Sequence, residues 1–199
     1  MSSSVKNSIE TKNLHIGYQQ KKSVSTIQKN INVQLNKGEF VGILGKNGIG
    51  KSTLLRTLTG VQDAITGEVF IQGKNIQSYS HKELSGLISL VLTERLPESQ
   101  LTVYELVALG RQPYTNWIGR LEKKDIEKIN WALEQTETMS LANRHFNELS
   151  DGQLQRVLIA RALAQDTQII LLDEPTAHLD MHHTIKIFKL LKKLSKKTD

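Results

Sequence analysis

The sequence contains no cysteine. That excludes disulfide bridges and thiolate metal sites, and it fits a cytosolic protein. Long apolar runs are missing too. The longest, such as Ile169-Ile170-Leu171-Leu172, fall far short of the roughly 20 apolar residues that cross a bilayer. Met1-Ser2-Ser3-Ser4-Val5-Lys6-Asn7 offers no apolar core, so no secretory leader is read there. No internal repeat and no low-complexity linker appears. What is present is ordinary: 199 residues, 38% hydrophobic and 23% charged, enough for a real core in one domain or one domain with a subdomain. The net charge of +6 is concentrated at the end, where Lys186, Lys189, Lys192, Lys193, Lys196 and Lys197 face a single acid, Asp199. Ile187, Leu190, Leu191 and Leu194 recur at helical spacing, so these lysines are read as the solvated face of a helix rather than a nucleic-acid or membrane patch.

Strand patterns lie near 8–16 and 27–35, with Asn36-Lys37-Gly38 as a turn. The apolar run Phe40 to Leu44 reads as a strand ending at Gly45, and Lys51 to Thr59 as a helix. Further strands are expected over Gly67 to Gln72, Leu87 to Leu92 and Gln168 to Asp173. Thr102 to Thr138 turns helical, with Ile126, Ile129 and Leu133 on one face, and Gly152 to Ala164 is another helix. Strands alternating with helices predict an α/β fold with a mostly parallel sheet. The helical block near 95–150 reads as an insertion between its two halves.

Two motifs carry chemistry. Gly45-Lys46-Asn47-Gly48-Ile49-Gly50-Lys51-Ser52-Thr53 matches G-x-x-x-x-G-K-[ST]. Its glycines let backbone N–H groups wrap a phosphate chain, and the helix start behind it adds partial positive charge. Lys51 is placed to reach the terminal phosphates, and the Ser52 hydroxyl to bind Mg²⁺. The second motif is the apolar strand that ends in Asp173-Glu174. Ligands of open α/β sheets gather at strand C-terminal ends. Asp173 is read as the partner for Mg²⁺, and Glu174 as the base that polarises an attacking water. Alone, such a strand end is a common polar turn; it gains weight because the phosphate loop needs an acidic partner.

Leu149-Ser150-Asp151-Gly152-Gln153 resembles the signature of the ABC ATPases and lies 20 residues before the acidic strand. Ala177-His178-Leu179-Asp180 looks like that family's D-loop, and Tyr18 matches its adenine-stacking aromatic. The resemblance implies a P-loop NTPase fold with an antiparallel N-terminal β subdomain and an inserted helical subdomain. It divides the chain into 1–94 with 150–199, and 95–149. The nucleotide, ATP with Mg²⁺, is then expected on Tyr18, Gly45, Asn47, Gly48, Gly50, Lys51, Ser52 and Thr53. Ser150, Gly152 and Gln153 are expected to address the nucleotide of a second copy in a head-to-tail homodimer. Within the family, Leu101-Thr102-Val103-Tyr104-Glu105-Leu106-Val107-Ala108-Leu109-Gly110-Arg111, then Pro113-Tyr114 and Gly119-Arg120-Leu121, is similar to the ATPase subunits of iron–siderophore, haem and vitamin B12 importers. That likeness implies integral-membrane permease partners and, indirectly, a substrate-binding protein. It implies a peripheral place on the cytoplasmic face of the cell membrane, and puts Arg111 and Arg120 in permease docking.

The sequence departs from the family at three places. Thr93, followed by Glu94, stands where a Gln is usual; Thr93 is expected to take that residue's place as a metal ligand, with Glu94 as the alternative. Asp151 replaces the commoner glycine of the signature and is expected to point away from phosphate. The family's next strand, with a switch histidine, has no counterpart before Asp199. His182 and His183 come too early to serve, and the His178/His182 spacing reads as solvated histidines rather than a metal site. The expectation is a fragment that binds ATP and turns it over poorly, with a degenerate ATPase as the other reading. Three rival functions stay open. A soluble ABC ATPase acting on nucleic acid or ribosomes has only the basic tail in its favour. A GTPase lacks its N-K-x-D string, since Asn36-Lys37-Gly38 runs into Glu39. An exporter ATPase is separated from an importer only by physiology.

Overall fold

A computed structural model describes residues 7–20, 23–92, 96–176 and 179–196. Chain order is β1 (Asn7–Gln20), β2 (Ser23–Ile31), β3 (Gln34–Asn36), α1 (Lys51–Leu58), β4 (Thr66–Ile71), β5 (Lys74–Asn75) and α2 (His81–Leu87). Then follow β6 (Ile88–Val91), α3 (Val103–Ala108), α4 (Lys123–Gln135), α5 (Asp151–Ala164), β7 (Ile169–Leu172) and α6 (Met181–Ser195), with short 3₁₀ turns between. The chain forms two compact units, one of Met1–Leu84 with Leu191–Asp199 and the other of Ser85–Leu190.

In the first unit β1 is the central strand of an antiparallel sheet. It pairs with β2 and β3 along one edge and with β4 along the other, and β5 extends β4. The stretch expected as one strand over 27–35 divides into β2 and β3. Alternation along β1 and β4 buries Ile9, Leu14, Ile16, Val69 and Ile71, and α1 adds Leu55 and Leu58. Each such side chain contributes about 1.5–3 kcal/mol through removal from water.

The second unit is built around α5, whose Val157, Ile159, Ala160 and Ala164 are fully buried. A helix apolar on most sides is an interior helix. Leu158 and Ala162 of α5 pack on Val91 of β6, with Leu154 and Leu172 beside them. β6 and β7 pair in parallel, from Ile88 opposite Ile169 to Val91 opposite Leu172. α3 contributes Val103, Leu106 and Val107, and α4 contributes Ile129, Ala132 and Leu133.

The structure departs from the sequence reading at three places. Phe40–Leu44 forms no strand; Phe40, Val41, Ile43 and Leu44 are exposed, Leu44 at 96%. A strand is held by ladder partners more than by its own propensity, and the described sheets do not include this run. Parallel pairing among the described strands is therefore limited to β6 and β7. On α4, Ile126 is exposed at 41%. Its expected place in the apolar face is taken by Asp125, which is buried because Arg111 neutralises it. Helix α2, which no sequence pattern marked, starts where Glu83 accepts the Ser80 N–H (2.7 Å) and hydroxyl (2.8 Å). The basic face of α6 is as expected: Ile187 and Leu191 are buried while Lys186, Lys189, Lys192, Lys193 and Lys196 are exposed.

Candidate functional site

In the first unit the candidate residues gather at the start of α1. Gly50 precedes the helix with φ 106°, a backbone that a side chain would strain. A Cβ at this position would also lie 2.7 Å from Ile27 Cγ2, so the loop sits directly on the sheet. Gln28 of β2 donates through Nε2 to the Ile49 carbonyl at 3.1 Å and fixes the loop from outside. Gly48 also has positive φ, 79°. The Lys51 ammonium donates to the carbonyls of Gly45 (2.9 Å) and Lys46 (3.0 Å). The cation is thus held across the loop whose N–H groups and helix start favour an anion. Ser52 follows it in the first turn of α1, while Thr53 is buried. Asn47 sits within the loop turn and is exposed. Tyr18, 47% exposed on β1, brings its hydroxyl within 3.4 Å of Thr53 Oγ1. The aromatic and the phosphate loop are thereby brought together, with the ring open for stacking. These donors fit a nucleoside polyphosphate.

The second unit holds the other candidates. Asp173 follows β7 directly; it is buried, and its N–H donates to the Val91 carbonyl at 2.8 Å. Glu174 is exposed and adopts φ 45°. A glutamate in the left-handed region costs about 1–3 kcal/mol and persists only where its surroundings impose it. Ser150 caps α5. Its hydroxyl accepts the Gln153 N–H (3.3 Å), and its own N–H donates to Gln153 Oε1 (3.0 Å). The Gln153 side chain closes this capping box through Oε1. Asp151 lies exposed in the first turn, where a carboxylate suits the helix dipole. Gly152, next in that turn, is half-buried. Because α5 packs on β6 and β7 pairs with β6, one rigid core carries both the Ser150 cap and the Asp173 strand end. Thr93, Glu94, Ala177 and His178 lie outside the described residues.

Sequence reasoning missed how the helical segments are tied to this core. Arg156 of α5 donates through Nη1 to the carbonyls of Thr136 (3.3 Å) and Glu137 (3.1 Å). Glu137 has φ 56°, and its carboxylate accepts two bonds from Lys186 of α6, at 2.7 and 2.8 Å. The bond from Lys186 holds this carboxyl below the ordinary range. Asp180 caps α6, accepting the His183 N–H and contacting Nδ1, each at 2.8 Å. The His183 N–H lowers its carboxyl in turn. For the Glu137–Lys186 tie the sequence signal is opposite charge at remote positions, which does not single out pairs, and the Arg156 bonds to backbone carbonyls leave no signal of that kind.

Arg111 requires a correction. It is 3% exposed, with Nε donating to Asp125 Oδ1 at 2.8 Å and Nη1 to the Ala164 carbonyl at 2.8 Å. Its guanidinium lies 4.0 Å from the Tyr114 ring centre. An interior arginine of this kind joins α4 to the end of α5 and has no surface to offer a partner. Gly110 beside it is obligatory, since a Cβ would approach the Arg161 carbonyl oxygen to 2.3 Å. Arg120, in contrast, is exposed.

Among the described residues no group of three or more His, Cys, Asp or Glu could hold a metal ion, and no helix is long and apolar enough to cross a membrane. The model of the ABC transporter family matches residues 28–177. The iron(3+)-hydroxamate import ATP-binding protein FhuC of Bacillus subtilis is 40% identical over 190 residues, 96% of this chain and 69% of its own length. The ferric enterobactin transport ATP-binding protein FepC of Escherichia coli is 42% identical over 171 residues, 86% of this chain and 63% of its own length. The chain thus spans about two thirds of the relatives it matches. Among solved structures, a dimeric post-hydrolysis ATP-binding cassette bound to ADP and Pi is 34% identical at a TM-score of 0.83, covering 95% of this chain and 83% of that one. With its phosphate loop, capped signature helix and acidic strand end in that order, this chain belongs to the ABC transporter family of ATP-binding proteins.

Proposed function

We propose that the chain is the ATP-binding and ATP-hydrolysing part of an importer for iron chelates of the siderophore class. The observation that carries the nucleotide part of this reading is the Lys51 ammonium, held at 2.9 and 3.0 Å over the carbonyls of a glycine loop that opens α1. In this reading Tyr18 stacks on adenine, and Gly45, Asn47, Gly48, Gly50 and Thr53 shape the loop around the phosphates. Ser52 and Asp173 would hold Mg²⁺, which would neutralise phosphate charge. Glu174 accepts a proton from the water that attacks the γ-phosphate. Ser150, Gly152 and Gln153 face the nucleotide of a second copy, so hydrolysis needs a head-to-tail dimer. The helical segment 95–149 docks on a membrane permease at the cytoplasmic face, and dimer closure drives transport. The importer reading is supported by the FhuC and FepC relatives, whose names assign them to iron-chelate uptake.

Two variants test it. Lys51→Ala is expected to abolish binding of a fluorescent ATP analogue without changing the circular dichroism. Glu174→Gln is expected to retain binding and accumulate an ATP-dependent dimer in the full-length protein. ATP affinity unchanged in Lys51→Ala, or a Glu174→Gln protein that stays monomeric with ATP, would refute the nucleotide scheme. Iron-chelate uptake unaffected by deletion would refute the importer assignment alone.

A further inference from the structure

Between the end of the 3₁₀ turn at Tyr114 and the start of α4, the second unit projects a short loop with two large apolar side chains at its tip. Trp117 is 94% exposed and Ile118 69% exposed. Exposed single apolar residues are ordinary, but a fully exposed tryptophan beside an isoleucine is not. The tip is held firmly. Asn116 Oδ1 accepts the N–H groups of Ile118 (3.1 Å) and Arg120 (3.2 Å), and the Asn116 carbonyl accepts that of Gly119 (2.9 Å). Gly119 has φ 75°, which closes the turn at no steric cost. Three exposed cations, Arg120, Lys123 and Lys124, follow the tip, against two exposed carboxylates, Glu122 and, a turn further along α4, Glu127. Asp125 is buried and neutralised by Arg111.

We propose that this loop contacts an anionic lipid surface, with Trp117 and Ile118 entering the interfacial layer and Arg120, Lys123 and Lys124 lying against the headgroups. The chemistry of the tip selects the occupant. Tryptophan favours the membrane–water interface, and basic side chains are drawn to anionic headgroups. The size of the tip selects it as well. Two side chains offer at most about 400 Å², half of the ~800 Å² that each partner gives to a standard protein interface. A convex two-residue tip suits shallow insertion into lipid better than a protein groove. This contact goes beyond the proposed function and does not rest on it, since it needs neither nucleotide nor permease; it assigns Arg120 to the lipid surface and leaves permease docking to the rest of the segment 95–149.

The test uses the full chain with Trp131→Phe, which leaves Trp117 as the single tryptophan. The protein is mixed with vesicles of phosphatidylcholine, with or without phosphatidylglycerol, and Trp117 emission and co-sedimentation are followed. The expected result is a blue shift, quenching by acyl-chain bromine and sedimentation with the phosphatidylglycerol vesicles only. Trp117→Ser/Ile118→Ser is expected to weaken sedimentation more than about tenfold. Arg120→Gln/Lys123→Gln/Lys124→Gln is expected to weaken it by about a hundredfold at low salt, about fivefold for each charge. These positions are exposed, so an unchanged circular dichroism spectrum shows that the variants fold. Lys189→Gln/Lys192→Gln/Lys193→Gln, on the basic face of α6, is expected to leave the blue shift intact. Three outcomes overturn the proposal: no blue shift, vesicle binding that survives the tip variant, or shielding of Trp117 only when permease is added. The last assigns the tip to a protein pocket instead.

Discussion

In an Arg111→Ala variant the Asp125 carboxylate keeps its buried place but loses the guanidinium 2.8 Å away. The Ala164 carbonyl loses its donor, and the Tyr114 ring loses the cation above it. Removing one partner of a buried pair costs about 3–5 kcal/mol, because the other charge stays buried without compensation. For a chain of this size each kcal/mol lowers the melting temperature by about 2–4 °C, so the expected fall is about 6–20 °C. Thermal and urea unfolding followed by circular dichroism measure it. Arg111→Met/Asp125→Leu is expected to recover most of the loss, since an apolar pair of similar volume is often neutral or better. The pH dependence gives a second check. Burial raises the Asp125 carboxyl, but the Glu122 N–H and Arg111 outweigh it and hold the group below its ordinary range. A group depressed in the folded state stabilises above its unfolded pKa, and loses that contribution as pH falls through the folded value. The gap between wild type and Arg111→Ala is therefore largest near neutrality and narrows as pH falls through the carboxylate range, first because the uncompensated Asp125 of the variant takes up its proton. A stability loss under about 1 kcal/mol, or a gap that ignores pH, would refute a structural role for Arg111 and return it to partner docking.

Further variants probe the strained and capped positions. Glu174→Gly removes a side chain from a residue at φ 45°, and is expected to raise stability by up to about 1 kcal/mol while abolishing hydrolysis. A loss of stability by calorimetry would show that Glu174 contacts, rather than strain, dominate there. Ser150→Ala deletes the acceptor of the Gln153 N–H and is expected to cost about 1 kcal/mol. Ser150→Asn, which caps equally well, is expected to restore stability, and failure to do so in urea unfolding would count against the cap.

Local chemistry was legible in the sequence wherever a residue type is dictated by its own backbone neighbourhood. The glycine loop, the terminal basic helix and the strand ending at Asp173 are of this kind: their patterns lie within a few residues, and hydrogen bonds or periodicity enforce them locally. The tertiary structure decided what depends on remote partners. Phe40–Leu44 has the composition of a strand, but a strand needs a place in a sheet, and the described sheets do not include this run. Ile126 fits a helical stripe by spacing, yet Asp125 takes the interior place because Arg111, fourteen residues earlier, neutralises it. Resemblance to the importer ATPases put Arg111 in partner docking; only the fold places Asp125 and the Ala164 carbonyl around it. Opposite charges such as Glu137 and Lys186 are too common for the sequence to say which pairs meet. The positive φ of Glu174 is likewise invisible to composition, because backbone strain is imposed by packing and by hydrogen bonds from other segments.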